Sequence, residues 1–270
     1  MWPKTSRLLI RRKPLMTANA DADVELPFIS HLAELRDRLL RAVLAVFLVL
    51  MALIPFAGHI YTALATPLIG RLPEGSQMIA IDLAAPFFTP LKLAFFVAVV
   101  ITAPLILYQV WAFVAPGLYK REQKLAIPLL VSSTLLFYLG CAFAYYLVLP
   151  VVIAFLTSVT PDGVSMMTDM SRYLDFVVML FLSFGVTFEV PVATVILVAL
   201  GWVELQTLRE SRRYFVVGAF IVAAIVTPPD VVSQIMLAIP MCLLFEVGIL
   251  ASAALVRKRE QEDAEETDQA

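Results

Sequence analysis

Two cysteines and two histidines among 270 residues leave little material for thiol or metal chemistry. Cys141 and Cys242 both fall inside long apolar runs, where a thiol behaves as a small apolar side chain, and no disulfide framework follows. His31 and His59 lie on either side of the first apolar run, which argues against a shared site. HExxH, GxSxG and P-loop motifs are all missing, so proteolysis and ATP hydrolysis lack their usual groups. Charge is scarce as well: 16% of residues are charged against 61% hydrophobic, with a mean hydropathy of +0.88. That balance excludes an ordinary soluble globular domain, and nothing in it implies a cofactor, a metal or a nucleic acid.

What the chain has instead is long apolar runs. A bilayer core of ~30 Å takes about 20 apolar residues in helix. Six runs reach or approach that length: Leu39 to Ala57, Leu91 to Val114, Ala126 to Leu149, Phe176 to Leu200, Tyr214 to Val226 and Val231 to Val256. Membrane barrels show short alternating segments, so the prediction is all-α, a polytopic protein with six transmembrane helices and a short fifth and sixth helix region. Nearly all Lys and Arg fall on one side of this topology, leaving Arg71, Lys92 and Arg172 on the other. The positive-inside rule then puts both termini in the cytoplasm of a cytoplasmic-membrane protein. Residues 1–27 read as an N-terminal extension, with translation expected to start at Met16; 28–256 as the transmembrane domain; and 257–270 as a disordered acidic tail.

The polar residues carry the remaining information. In "FISHLAELRDRLLRAVLAVF", Pro27 and Ser30 suit a helix start, and spacing pairs Glu34 with Arg38 and Asp37 with Arg41. The second loop holds Glu122 among Lys120, Arg121 and Lys124, behind an aromatic cluster of Tyr108, Trp111, Phe113 and Tyr119 that suits a membrane interface. The two outward loops are too apolar for floppy linkers and are expected to fold as short helical caps. The "TPPD" turn, Thr227 to Asp230, leaves a fifth span too short for the hydrocarbon core. Glu189 stands inside a span, where a charge costs at least ~2.5 kcal/mol and needs a polar partner. It either hydrogen-bonds within the bundle, to Thr187 or a residue of another helix, or receives a polar group from a partner helix, with Pro191 disturbing the backbone beside it. On the residues alone a proton-coupled solute transporter using Glu189 and Glu246, or a scaffold without cargo, stays open, although no internal repeat supports the transporter.

The segments "HLAELRDRLL", "PFFTPLKLAFF", "APLILYQVWAFVAPGLYKREQK", "LLVSSTLLFYLGCAFAYY", "FGVTFEVPVA" and "TPPDVVSQIMLAIPMCLLFEVG" together resemble the TatC family, the C subunits of the twin-arginine protein translocase. The resemblance runs from about Phe28 to Arg257. It implies a receptor, not an enzyme, that binds the twin-arginine signal peptide of folded cargo. It further implies assembly with the single-span partners TatA and TatB in a multimeric complex driven by the proton-motive force. Glu34 and Glu122 match the positions that recognise the two arginines, with Arg36 and Phe113 in the same region. Glu189 matches an intramembrane acid associated with partner-helix binding, and Gln234, Pro67, Phe87, Lys92 and Asp230 match further positions the family relies on. Chemistry agrees with the first assignment, since a guanidinium donates paired hydrogen bonds to a carboxylate.

Overall fold

The computed structural model describes residues 20–70, 77–114, 126–161, 164, 167–226 and 231–268. The first span is a long helix with a bend. Helix α1 (Ala20–Leu53) passes through a 3-10 turn, Ile54–Phe56, into α2 (Ala57–Ile69), and the turn falls at Pro55, whose missing N–H breaks the helical ladder. The chain then forms strand β1 (Gln77–Ile79) and returns as α3 (Ala85–Val114), which carries Pro90 and Pro104 inside it. Helix α4 (Ala126–Phe143) runs back through a single π turn, Ala144–Val148, into α5 (Leu149–Ser158). Strand β2 (Met167–Asp169) leads into α6 (Met170–Phe188) and α7 (Val190–Ala199), which together form one broken span. A short α8 (Leu205–Glu210) precedes α9 (Arg212–Val226) and the long α10 (Val231–Asp268).

Among the described residues, five stretches are long and apolar enough to cross a membrane: Leu32–Thr66, Ala85–Val114, Ile127–Ser158, Met170–Ala199 and Gln234–Lys258. Helix α9 has 15 residues, which at 1.5 Å each gives ~22 Å and falls short of the hydrocarbon core. The expected shortness therefore belongs to α9 and not to α10, which has 38 residues. Helix α10 also continues to Asp268, where the sequence suggested a disordered tail from 257, because "RKREQEDAEE" is rich in strong helix formers. At the other terminus α1 begins at Ala20, ahead of the expected start near Pro27, over a segment whose acids favour a helix N-terminus.

Helix α3 lies between α1 and the α4–α6 pair, and α10 packs against α7 and α9. The largest core gathers Val148, Leu149, Leu180, Phe184 and Leu237, all fully buried, from the π turn, α5, α6 and α10. Two glycines set the closest approaches. A Cβ on Gly140 would lie 2.6 Å from the Phe184 carbonyl oxygen, and one on Gly248 would lie 2.2 Å from Thr194 Oγ1 and 3.0 Å from Pro191 Cα. Helices α4 and α6 touch at the first, α10 and α7 at the second.

One end of the bundle is capped. There β1 and β2 pair in parallel, Gln77 with Met167 and Ile79 with Asp169. Each strand follows a span that runs toward this end and precedes one that runs away from it. The expected helical caps are thus joined by a two-stranded sheet. Asp169 locks it: one carboxylate oxygen accepts from Ser171 N and Arg172 N, both at 3.0 Å, capping α6, and the other accepts from Ile81 N at 3.1 Å. Those backbone donors hold the Asp169 carboxyl below its ordinary range, the bond from Arg172 N contributing most. Below the cap, Thr89 and Ser171 hydroxyls meet at 2.8 Å and Lys92 Nζ reaches Asp175 Oδ1 at 2.6 Å, both joining α3 to α6.

Candidate functional site

The predicted site residues separate into two ends and one point between. Because α1 packs antiparallel to α3, Glu34, near the start of the first span at Leu32–Thr66, and Phe113, near the end of α3, share the uncapped end of the bundle. Glu34 accepts from Arg38 Nε at 3.0 Å and also from Arg38 Nη2, one turn further along the same face. One carboxylate oxygen thus receives two guanidinium donors. Asp37 takes Arg36 at 2.8 Å in place of the expected Arg41, a choice between exposed pairs of nearly equal energy. Phe113 is half-buried beside the buried Trp111. Glu122 and Asp230 lie outside the described residues.

Beyond this end, α1 leaves a broad apolar face uncovered. Leu39, Leu40, Val43, Leu44, Phe47 and Leu48 are each more than half exposed, although the helix is packed along α3. A soluble protein would not leave this surface open; a membrane protein presents it to lipid or to another helix.

Glu189 occupies the joint between α6 and α7. Pro191 has no N–H to continue the ladder, so α6 ends in a tight turn in which Glu189 N donates to Val186 O at 3.0 Å. The joint is held from behind by Gly248, whose missing side chain lets α10 press on Pro191. Ser133 of α4 donates its hydroxyl to Glu189 Oε2 at 2.5 Å, so the partner is on another helix rather than Thr187. The second oxygen, Oε1, is buried without a hydrogen bond, as is Gln109 Oε1 on α3. An unpaired buried carboxyl oxygen costs free energy comparable to a lost hydrogen bond and marks a place where a donor would be welcome. Neither Ser133 nor Gln109 was singled out from the sequence. The polar run Ser132, Ser133, Thr134 inside an apolar helix is the signal that points to the first.

The other expected positions gather toward the cap or stand apart. Pro67 lies in α2; Phe87 is exposed in the first turn of α3, edge-on to Phe88 at 5.1 Å; and Lys92 makes the bridge to Asp175. Gln234 donates to the Phe220 carbonyl at 3.1 Å, tying the start of α10 to α9. It is 14 residues, or ~20 Å of helix, from the Gly248 that contacts the Glu189 joint, so Gln234 and Glu189 do not form one site. Glu246 is held by Arg212 of α9 at 2.8 Å, which makes it a bridge between helices. Among the described residues no group of His, Cys, Asp or Glu could hold a metal.

The model of the family described as "Sec-independent protein translocase protein (TatC)" matches residues 30–240. The chain belongs to the TatC family. It is 54% identical over 232 residues to the Sec-independent protein translocase protein TatC of Escherichia coli (strain K12), covering 86% of this chain and 90% of that one. With the TatC protein of Azotobacter chroococcum mcd 1 it shares 52% over 246 residues, covering 91% and 96%. A crystal structure of the twin-arginine translocase receptor TatC superposes with a TM-score of 0.74 at 36% identity, covering 83% of this chain and 98% of that one. The chain is thus a multi-pass membrane protein and a subunit of the Sec-independent translocase, with an all-α fold. The TatC resemblance drawn from the sequence holds.

Proposed function

We propose that this TatC-family chain is the signal-peptide receptor and core subunit of a twin-arginine translocase. It binds the twin-arginine signal peptides of folded cargo and assembles TatA and TatB for export driven by the proton-motive force. The observation that carries this reading is the grip of Glu34 on a guanidinium: Arg38 donates twice to this half-buried carboxylate where α1 enters the first span, which supports an arginine-accepting role. An incoming arginine shares or displaces Arg38, and Glu122 takes the second. Arg36 and Phe113 shape the same surface.

Half-exposed ion pairs contribute only ~0 to 1 kcal/mol each, so two carboxylates do not suffice for binding. The peptide's apolar stretch therefore runs on from Glu34 along the open face of α1, where Leu39, Val43 and Phe47 are exposed. Glu189 offers its unpaired oxygen to a polar side chain of a TatA or TatB helix, and Gln234, Pro67, Phe87, Lys92 and Asp230 shape the contacts of the assembled complex. In this reading α9 is the short fifth span and α10 the sixth, the uncapped end faces the cytoplasm with both termini, and the β1–β2 cap faces outward.

The test is site-specific photo-crosslinking in membrane vesicles. A probe at Leu35 or Leu39 should capture a twin-arginine signal peptide, and Glu34→Ala should reduce capture severalfold while leaving the amount of membrane-inserted protein unchanged. Capture that ignores Glu34 would remove the basis of the assignment.

A further inference from the structure

A cavity of about 280 Å³ lies just below the capped end, walled by Leu64 of α2, Phe96 and Val97 of α3, Val178 and Phe181 of α6, and Tyr145 of the π turn. Its walls cannot easily collapse inward. Phe96 and Phe181 stand edge-on at 5.9 Å, and Tyr145 leans on Phe181 at 6.2 Å, so each ring fixes the next. The π turn precedes Pro150, which has no N–H to give, and the extra residue in that turn places Tyr145 against the cavity; such turns often mark functional sites.

Water does not suit this space, because a trapped water needs two to four polar partners and the walls offer the Tyr145 hydroxyl and little else. Left empty, the walls forfeit dispersion contacts on one side. A helix cannot enter either: with side chains it is about 10–12 Å across, and it would need a groove along the bundle rather than a cavity of this size. A single hydrocarbon chain fits, and in a membrane acyl chains are what surround the protein.

The rim supplies a second observation. Lys92 and Asp175, bridged at 2.6 Å, sit one helical turn nearer the cap than Phe96 and Val178, and their side chains remain 56% and 57% exposed. A cation and an anion side by side above an apolar cavity complement a headgroup that carries a phosphate next to an ammonium. We propose that the cavity holds one acyl chain of a zwitterionic phospholipid whose phosphate and ammonium rest on Lys92 and Asp175. The lipid would fill the gap between α2, α3 and α6 and brace the cap above it. This inference goes beyond the receptor reading and does not depend on it.

The experiment uses the full chain reconstituted in phosphatidylglycerol vesicles containing a photoactivatable diacyl phosphatidylethanolamine, with adducts mapped by mass spectrometry. The expected result is adducts concentrated on the cavity-wall peptides of α3 and α6. Filling the cavity by Val97→Trp, or independently from α2 by Leu64→Trp, should lower them about tenfold, as the loss of roughly two buried methylenes would. Val97→Ala, which enlarges the cavity, should keep them and so controls for disturbed folding. Removing the rim charges by Lys92→Gln with Asp175→Asn should reduce phosphatidylethanolamine adducts and spare those of a photoactivatable diacylglycerol. Adducts spread evenly around the bundle, or undiminished by both filling variants in protein that unfolds at the wild-type temperature, would overturn the proposal. So would adducts to a neighbouring protein helix at these walls in place of lipid.

Discussion

Replacing Gly140 with alanine tests whether the α4–α6 contact positions the Glu189 site. The added Cβ would meet Phe184 O at 2.6 Å and Phe188 Cβ at 3.0 Å, both backbone or near-backbone atoms that cannot swing away. Restoring ordinary contact near 3.5 Å requires α4 to retreat by roughly 0.5–1 Å. Ser133 is two turns away on the same helix face, so the same movement lengthens its 2.5 Å bond to Glu189 to about 3.0–3.5 Å, the weak edge of hydrogen-bonding range. Overpacking costs about 1–3 kcal/mol, and weakening the carboxyl's remaining hydrogen bond costs up to about 1 kcal/mol more. The two share a cause and do not add fully, giving about 1–4 kcal/mol and a fall in Tm on the order of 3–15 °C. Buried Cys141, next in sequence, provides the assay: a thiol-reactive dye reports its exposure during heating in nanodiscs. Gly58→Ala is the control, since a Cβ there meets nothing within 4 Å. A Gly140→Ala midpoint within about 1 °C of wild type would refute the reasoning, because it would mean that the contact yields without cost.

Other outcomes follow from single contacts. Ser133→Ala should lower stability by about 1–3 kcal/mol in the same assay, whereas Ser132→Ala, whose hydroxyl bonds only within its own helix, should change it little. Asp169 has a carboxyl held below its ordinary value of 3.8 in the folded chain, so its contribution is present above that value and lost as pH falls through the lower folded one. The protection of the Ile81 and Ser171 amides, taken relative to intrinsic exchange at each pH, should therefore fall at acid pH in wild type, and Asp169→Ala should show low protection already at neutral pH. Arg212→Ala should cost no more than about 1 kcal/mol, because the pair with Glu246 is half-exposed; a larger loss in thermal unfolding would mean that α9 depends on that bridge.

The spans were legible because hydrocarbon imposes length and composition on a sequence. Runs near 20 apolar residues, broken by Pro and flanked by Lys or Arg, leave few alternatives to helices. The break at Glu189 was legible too, since Pro191 removes a donor at a known place. The three-residue strands were not, being too short to show an alternation of side chains. Nor could the sequence identify the partner of Glu189: Ser133 lies 56 positions away, and only the packing of α4 on α6 at Gly140 brings the two together. At the uncapped end, four-residue spacing correctly predicted Glu34 with Arg38 but not the pairing of Asp37, where adjacent Arg36 competes on equal terms with Arg41.

Discrimination between arginine and lysine is the most direct test of the receptor reading. Binding of a twin-arginine signal peptide and its twin-lysine variant would be measured on the full chain in nanodiscs, with wild type and a Glu34→Ala, Glu122→Ala double variant in parallel. A lysine keeps the charge but loses the planar fork. The predicted result is about tenfold tighter binding of the arginine peptide to wild type, the equivalent of roughly 1.4 kcal/mol, with the preference abolished in the double variant. Equal affinity of wild type for both peptides, or a preference that survives loss of both carboxylates, would contradict it.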